Sequence, residues 1–311
     1  EKKHELNLGI DAGFLNNRIN VTFDVYRRNN YDLIGVVTTQ GINREVSSYG
    51  NVASMKSHGE ELSISTTNIK NKDFSWTTNF IYSHAVNEVT DLMSKASTMD
   101  YIQGSGFAKK GYPVRALFSI PFVGLSEDGY PMFINDKGNV TVGDINFQER
   151  ENNDYLKYEG PTDPVYTGSL GNIFTYKGFR LNLFITYSFG NVVRLDPVFS
   201  YRYTDLSSLT KEFKNRWVLP GDEKITNVPV LISKRELQDN SDLIYAYNAY
   251  NYSTERIAKG DFIRMKEISL GYDFPGKWIL SSSAPVVCLH LCLSSSLSPS
   301  RLDSNYCKRK D

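Results

Sequence analysis

Residues 165–190, VYTGSLGNIFTYKGFRLNLFITYSFG, alternate in twos. Phe179, Leu181, Leu183, Ile185, Tyr187 and Phe189 share one parity. Arg180, Asn182, Thr186 and Ser188 take the other, with Phe184 out of place. Successive side chains of a strand point to opposite faces, so the segment predicts a strand with one apolar and one polar face. Just upstream, Tyr166, Leu170, Phe174 and Tyr176 line one face against Thr167, Ser169 and Thr175 on the other. Only Lys177 and Gly178 separate the two runs, which predicts a tight hairpin. Each arm holds about ten residues, against about five or six in a common globular strand, and carries aromatics near its ends. Such a hairpin suits a membrane-spanning β-barrel, and taken alone it suits a soluble β-sandwich equally well.

Outward from this hairpin the same pattern recurs. Leu6, Leu8, Ile10, Ala12 and Phe14 alternate with small and polar residues, Asn16 and Asn17 make a turn, and Ile19, Val21, Phe23 and Val25 alternate again. After residues 31–34 a connection is expected through residues 40–59. A third strand is expected over 60–69, with Leu62 and Ile64 on one face, and a fourth from Phe74 to Val86. Residues 91–164 and 191–258 show no sustained alternation; the first carries turn chemistry and the second is rich in Tyr. A last run over 261–274 places Ile268, Leu270, Tyr272 and Phe274 on one face. Short turns at 16–17, 70–73, 177–178 and 275 thus alternate with long connections. That sorting is what an outer-membrane barrel shows, with short periplasmic turns and long extracellular loops, and a sandwich gives no reason for it.

The bulk numbers agree. A formal net charge of +0 offers no electrostatic case for nucleic acid. Hydrophobic residues make up 40% of the 311, yet there are 20 Tyr and 17 Phe, and mean hydropathy is −0.38. Low hydropathy with many aromatics fits a barrel with a wet lumen and long polar loops. No apolar run reaches the length of about eighteen residues that a transmembrane helix needs. The three cysteines all lie in the last stretch, at 288, 292 and 307, which leaves a cysteine-free body. The fold expected is therefore all-β: an antiparallel transmembrane β-barrel, present as an incomplete C-terminal fragment of about seven long strands.

Five segments carry a family resemblance: residues 7–34 (NLGIDAGFLNNRINVTFDVYRRNNYDLI), 49–62 (YGNVASMKSHGEEL), 171–181 (GNIFTYKGFRL), 215–229 (NRWVLPGDEKITNVP) and 262–275 (FIRMKEISLGYDFP). Together and in this order they resemble the C-terminal part of a SusC/RagA-type TonB-linked outer-membrane transporter. The resemblance implies a large barrel filled by an N-terminal plug, in the outer membrane of a Gram-negative, Bacteroidetes-like cell. It implies import of large nutrients, either glycan oligomers (polysaccharide utilisation) or peptides. The partners it implies are a SusD-like surface lipoprotein acting as lid, a TonB complex reached through the missing N-terminal region, and outer-membrane lipid. Without plug or TonB box the sequence is expected to be a piece of a longer chain. Residues 1–278 are expected to belong to the receptor barrel. The Ser-rich residues 279–311, ending in KRKD, are expected to be an aberrant tail, disordered or from a shifted reading frame, with a genuine divergent tail as the alternative.

No catalytic constellation stands out. His4, His58, His84 and His290 are scattered, and neither a zinc pair, a Walker loop nor a nucleophile elbow occurs. No enzyme, cofactor or metal is therefore expected. The oxygen-rich stretches 127–129 and 135–139 lack the spacing of an EF-hand, and Asx and Gly turn chemistry accounts for them. For ligand binding the candidates are loop aromatics, Tyr201, Tyr203, Trp217, Tyr245 and Tyr247, since sugar faces are apolar and their edges polar. If the chain is extended there, Tyr245 and Tyr247 fall on one side, as do Tyr250 and Tyr252; packing of the loops is the competing role. Phe179, Leu181, Leu183, Ile185 and Tyr187 are expected to meet lipid, and Asn182, Thr186 and Ser188 to face the lumen. The rival classes are a secreted or surface β-sandwich that binds glycans or mediates adhesion, and a passive porin.

Overall fold

The computed structural model describes residues 1–38, 47–93, 95–198, 210–273 and 288–297. In chain order the strands and helices are β1 (Lys2–Phe14), β2 (Ile19–Thr38), β3 (Ser47–Lys70), β4 (Phe74–Leu92), α1 (Thr98–Ile102), β5 (Ala116–Ser119), β6 (Phe122–Leu125), β7 (Pro131–Ile134), β8 (Val140–Thr141) and β9 (Lys157–Pro161). There follow β10 (Tyr166–Tyr176), β11 (Phe179–Phe189), β12 (Val192–Arg194), α2 (Lys234–Asp239), α3 (Leu243–Asn251), β13 (Ile257–Lys259), β14 (Phe262–Asp273) and β15 (Cys288–Leu297).

The long strands form one eight-stranded sheet in the order β1-β2-β3-β4-β10-β11-β14-β15, every neighbour antiparallel. Among the described residues this wall is an open sheet with β1 and β15 as its outer strands. The hairpin at its centre is as the alternation requires: β10 and β11 pair from Tyr166↔Phe189 to Tyr176↔Phe179 around Lys177 and Gly178. Both turn residues have positive φ, 45° and 90°, the two-residue turn whose twist matches that of its strands. Leu15, Asn16 and Asn17 also have positive φ, which the short polar side chains of Asn tolerate.

Two expectations about the wall are corrected. The third strand begins at Ser47 instead of residue 60, so residues 49–59 are strand and not connection. Pairing with β2 continues through Leu33↔Ala53 and Val36↔Tyr49, and backbone ladders form there without side-chain alternation because register shifts interrupt the parity between Asn30 and Ile34. The tail beyond residue 278 is not wholly unstructured either. Cys288–Leu297 supplies an eighth strand, with Leu289, Leu291 and Leu293 opposite Tyr272, Leu270 and Ile268 of β14.

The two long connections fold as well. Residues 93–165 and 190–261 hold three small sheets, β5-β9, β6-β7-β8 and β12-β13. A shared core contains Ile102, Phe118, Ile120, Phe133, Ile145, Leu156, Phe213 and Tyr250. The connections are stitched together by backbone: Ile120 N–H donates to Tyr252 O at 3.1 Å and Thr254 N–H to Ile120 O at 3.1 Å. This loop unit grips the wall at β4, where Gly111 N–H donates to Val89 O and Val89 N–H to Tyr112 O, each at 2.9 Å. The irregularity read from the sequence is thus a compact body of short elements.

Candidate functional site

Two features can carry function: the two faces of the wall and a cleft in the loop unit. Directly opposed residues share a face, so the ladders can be followed across the sheet as rows. One row runs Ala12, Val21, Ile64, Phe80, Leu170, Ile185, Met265, and the next runs Ile10, Phe23, Leu62, Tyr82, Gly168, Tyr187, Ile263. The opposite face carries Asp11, Thr22, Ser63, Ile81, Ser169, Thr186, Arg264. Phe179, Leu181, Leu183, Ile185 and Tyr187 therefore share the face of these rows, Leu183 in a row with Thr78 and Asn172, while Asn182, Thr186 and Ser188 lie on the polar side. Thr22 Oγ1 donates to Asp11 at 2.7 Å, Ser65 Oγ to Asn79 at 2.8 Å and Asn182 Nδ2 to Glu267 at 3.1 Å, so the polar face is tied across strands.

Aromatics border the apolar face at both ends of the hairpin. Phe74, Tyr176, Phe179 and Tyr272 form one row beside the short turn, and His84, Tyr166 and Phe189 form another at the loop end. Phe179 and Tyr272 meet at 4.5 Å between centroids, His84 and Tyr166 at 4.8 Å. The odd parity of Phe184 has a local cause: Gly171 stands opposite on the polar face and leaves the ring room. Tyr187 similarly lies across Gly168, with its hydroxyl donating to Ile81 O at 3.1 Å; a Cβ at Gly168 would collide with that ring and with the Ile81 carbonyl. One apolar-face row is interrupted by polar groups, where Asn172 Oδ1 accepts from Trp76 Nε1 at 3.0 Å and Thr78 Oγ1 at 2.7 Å.

The loop aromatics separate by role. Trp217 is 9% exposed, packs on Gly129 and donates its indole N–H to Glu223 at 3.3 Å. Tyr247 is 7% exposed and donates its hydroxyl to Val230 O at 2.6 Å; burial pushes its phenol well above the usual range. Both are packing residues of the loop unit. The extended geometry expected for Tyr245 and Tyr247 is corrected: they lie on α3, where Leu243, Ala246, Tyr247 and Tyr250 fall on the buried face at helical spacing. Tyr245 points away from that face and is 50% exposed. Tyr201 and Tyr203 lie outside the described residues.

Tyr245 borders a cleft of 1130 Å³ between the segment after β8 and the start of α3. Its ring approaches Phe147 at 6.4 Å between centroids, tilted by 34°. Gly143 lets the two walls close, since a Cβ there would meet the Asp242 backbone at 3.0 Å. Four carboxylates line the cleft, Asp136, Asp144, Glu149 and Asp242, against the single ammonium of Lys137. Asp144 accepts from Asn135 Nδ2 at 3.1 Å and pairs with Lys137 at 3.4 Å. Glu149 Oε1 accepts the backbone N–H groups of Arg150, Glu151 and Asn152, and these bonds hold its carboxyl below the ordinary value of 4.5. Asn135 is buried, and its Oδ1 accepts from Lys137 N and Asn139 N, the Asx-type turn expected for 135–139. Sequence reasoning missed Phe147, Asp136 and Asp242 as cleft residues. Asp242 stands about a hundred positions from Asp136 and Phe147, in irregular stretches, and no local spacing announces them.

Elsewhere in the loop unit two arginines brace the fold, Arg256 buried and Arg194 half-buried. Arg256 pairs with Glu212 and donates to Asp196 O at 2.6 Å. Arg194 donates to Phe118 O at 2.6 Å, and desolvation pulls its guanidinium down to about 10. Among the described residues no group of His, Cys, Asp and Glu could hold a metal ion.

No family model matches the chain. Among curated proteins it is 24% identical over 309 residues to TonB-dependent receptor P3 of Formosa agariphila, a match that covers 94% of this chain and 29% of that protein. It is 27% identical over 293 residues to TonB-dependent receptor SusC of Bacteroides thetaiotaomicron, covering 89% and 26%. Among solved structures it superposes on the RagAB peptide transporter with a TM-score of 0.69 at 21% identity, over 94% of this chain and 32% of that one. The RagAB peptide importer in its open-open state gives 0.68 at 21% identity, over 95% and 31%. The chain thus spans less than a third of the length of these relatives.

Proposed function

We propose that the chain belongs to the SusC/RagA-type TonB-dependent receptors and builds part of the barrel wall and the folded outer loops of a nutrient importer. The observation that carries this reading is the two-faced wall: mostly apolar rows bordered by aromatics on one face, hydrogen-bonded polar rows on the other, and a folded body at the loop end. The face with Phe179, Leu181, Leu183, Ile185 and Tyr187 meets lipid, and Asn182, Thr186 and Ser188 face the lumen. The short turns then lie at the periplasmic rim and the loop unit outside the cell, with the wall running on through β15.

The mechanism contains no covalent step. The loop unit takes part in capturing a large nutrient, an oligosaccharide or an oligopeptide, under a SusD-like lipoprotein, and TonB drives release inward through a plug supplied by the rest of the receptor. A rigid knuckle suits such a lid. Val218, Leu219 and Ile225 stand exposed on a turn whose backbone is fixed by the Asp222 carboxylate, which accepts from Val218 N at 3.0 Å and Leu219 N at 2.9 Å. Exposed apolar groups already held in place lose little entropy on docking.

Fractionation of cells that make the full-length receptor tests the reading. The expected outcome is a protein released from the outer membrane only by detergent, together with a co-purifying surface lipoprotein, whose deletion stops uptake of a large nutrient. A receptor that is soluble without detergent would restore the β-sandwich and overturn the proposal.

A further inference from the structure

The cleft beside Tyr245 carries a charge that the chain as a whole does not. Formal net charge is +0 over 311 residues, yet four carboxylates and one ammonium meet at this one opening. These carboxylates are not equivalent. Glu149 is occupied by three backbone N–H groups, and Asp144 is held by Lys137 and Asn135. Asp136 and Asp242 stand on opposite walls, one on the turn after β7 and the other at the start of α3, where its side chain makes no capping hydrogen bond. Between the walls lie the rings of Phe147 and Tyr245.

An apolar platform flanked by uncommitted carboxylates fits one chemistry closely: a cation on a flexible hydrocarbon stem. The stem covers the rings, and the head group reaches carboxylate and ring face together. A neutral sugar would use the rings but would leave the excess negative charge uncompensated, and an anionic ligand would be repelled. We infer that this cleft is a specificity site for a Lys or Arg side chain of an oligopeptide. The inference rests on the importer reading and narrows it to cationic peptides at this position.

Equilibrium binding to the purified full-length receptor with its lipoprotein partner tests it. The probes are a fluorescently labelled Gly-Gly-Lys-Gly-Gly peptide and its norleucine twin, which keeps the stem and lacks the charge. The lysine peptide should bind about tenfold tighter at low salt, and the gap should narrow as salt screens the carboxylates. Asp136→Asn with Asp242→Asn should abolish the preference and leave affinity for the norleucine peptide unchanged. Tyr245→Ala should weaken both peptides. Equal binding of the two peptides to the unaltered receptor overturns the inference, as does a preference that survives in the double variant, or no binding of either. Import of a mixed oligopeptide pool, measured in parallel, separates the two levels: uptake without charge preference sinks the inference alone, and absence of uptake of any large nutrient sinks the importer reading with it.

Discussion

The wall and the loop unit use the same side-chain types to opposite ends. Leu8 and Ile10 of β1 are 66% and 67% exposed, and among the described residues of the wall only Val52 and Val89 are buried apolar side chains. Every other buried apolar side chain described, from Ala96 to Tyr250, belongs to the loop unit. In water this would be an inversion, since the larger body would have no core. It is consistent once the wall's solvent on one side is hydrocarbon, where backbone ladders satisfy the polar groups and side chains need not pack on each other. The loop unit has a core of its own, as a body in water requires.

That contrast can be broken most directly in the core. Phe118→Ala should destabilise the loop unit by about 3–5 kcal/mol, read as lost amide protection in residues 93–165 of the full-length receptor with the wall unaffected. Equal loss of protection in β10 and β11 would show that the two bodies are one cooperative unit. On the wall, Leu183→Arg should cost about 2–4 kcal/mol in a lipid-folding titration, and Asn182→Arg far less. Equal costs would exchange the faces. Gly168→Ala should cost about 1–3 kcal/mol by displacing Tyr187 from its place across the backbone, and pairing it with Tyr187→Ala should recover part of that loss.

The smallest effect is one of pH and is read in the loop unit. The carboxyls of Glu149, Asp222 and Glu236 are lowered first of all by backbone N–H groups that they accept. Their contribution is therefore complete above the ordinary values of 4.5, 3.8 and 4.5, and it is lost as pH falls through the lowered folded values. Near-ultraviolet circular dichroism of the loop aromatics should weaken in acid before the far-ultraviolet strand signal changes. Simultaneous loss would remove the distinction.

How much of this was legible in the sequence follows the same division. The hairpin at 177–178, the Asn turn at 16–17 and the parity of β11 were readable because a strand repeats every two residues and its turn chemistry is local. The start of β3 was not, since register shifts near Leu33 break the alternation while the ladder continues. The run LIYAYNAYN was read in twos, although Leu243, Ala246, Tyr247 and Tyr250 carry the spacing i, i+3, i+4, i+7 of a helix; repeated Tyr obscured it. The strand at Cys288–Leu297 was overlooked although Leu289, Leu291 and Leu293 alternate, because Ser and Cys composition outweighed the period. Of the candidate loop residues, Tyr245 borders the cleft, while Trp217 and Tyr247 are spent on packing.

The sequence by itself determined most of the wall: the parity of β1, β2, β10, β11 and β14 and the short turns between strands. Those properties depend on neighbours one or two positions away. Only the tertiary structure decided what the long connections become. Ile102, Phe118, Phe133, Ile145, Leu156 and Tyr250 are scattered over nearly 150 positions with no period, and they form a core because the backbones at Ile120, Tyr252 and Thr254 bond across that gap. The cleft exists for the same reason. Asp136 and Phe147 face Asp242 and Tyr245 through chain closure and through a glycine that lets the walls approach, and neither is written in any local stretch.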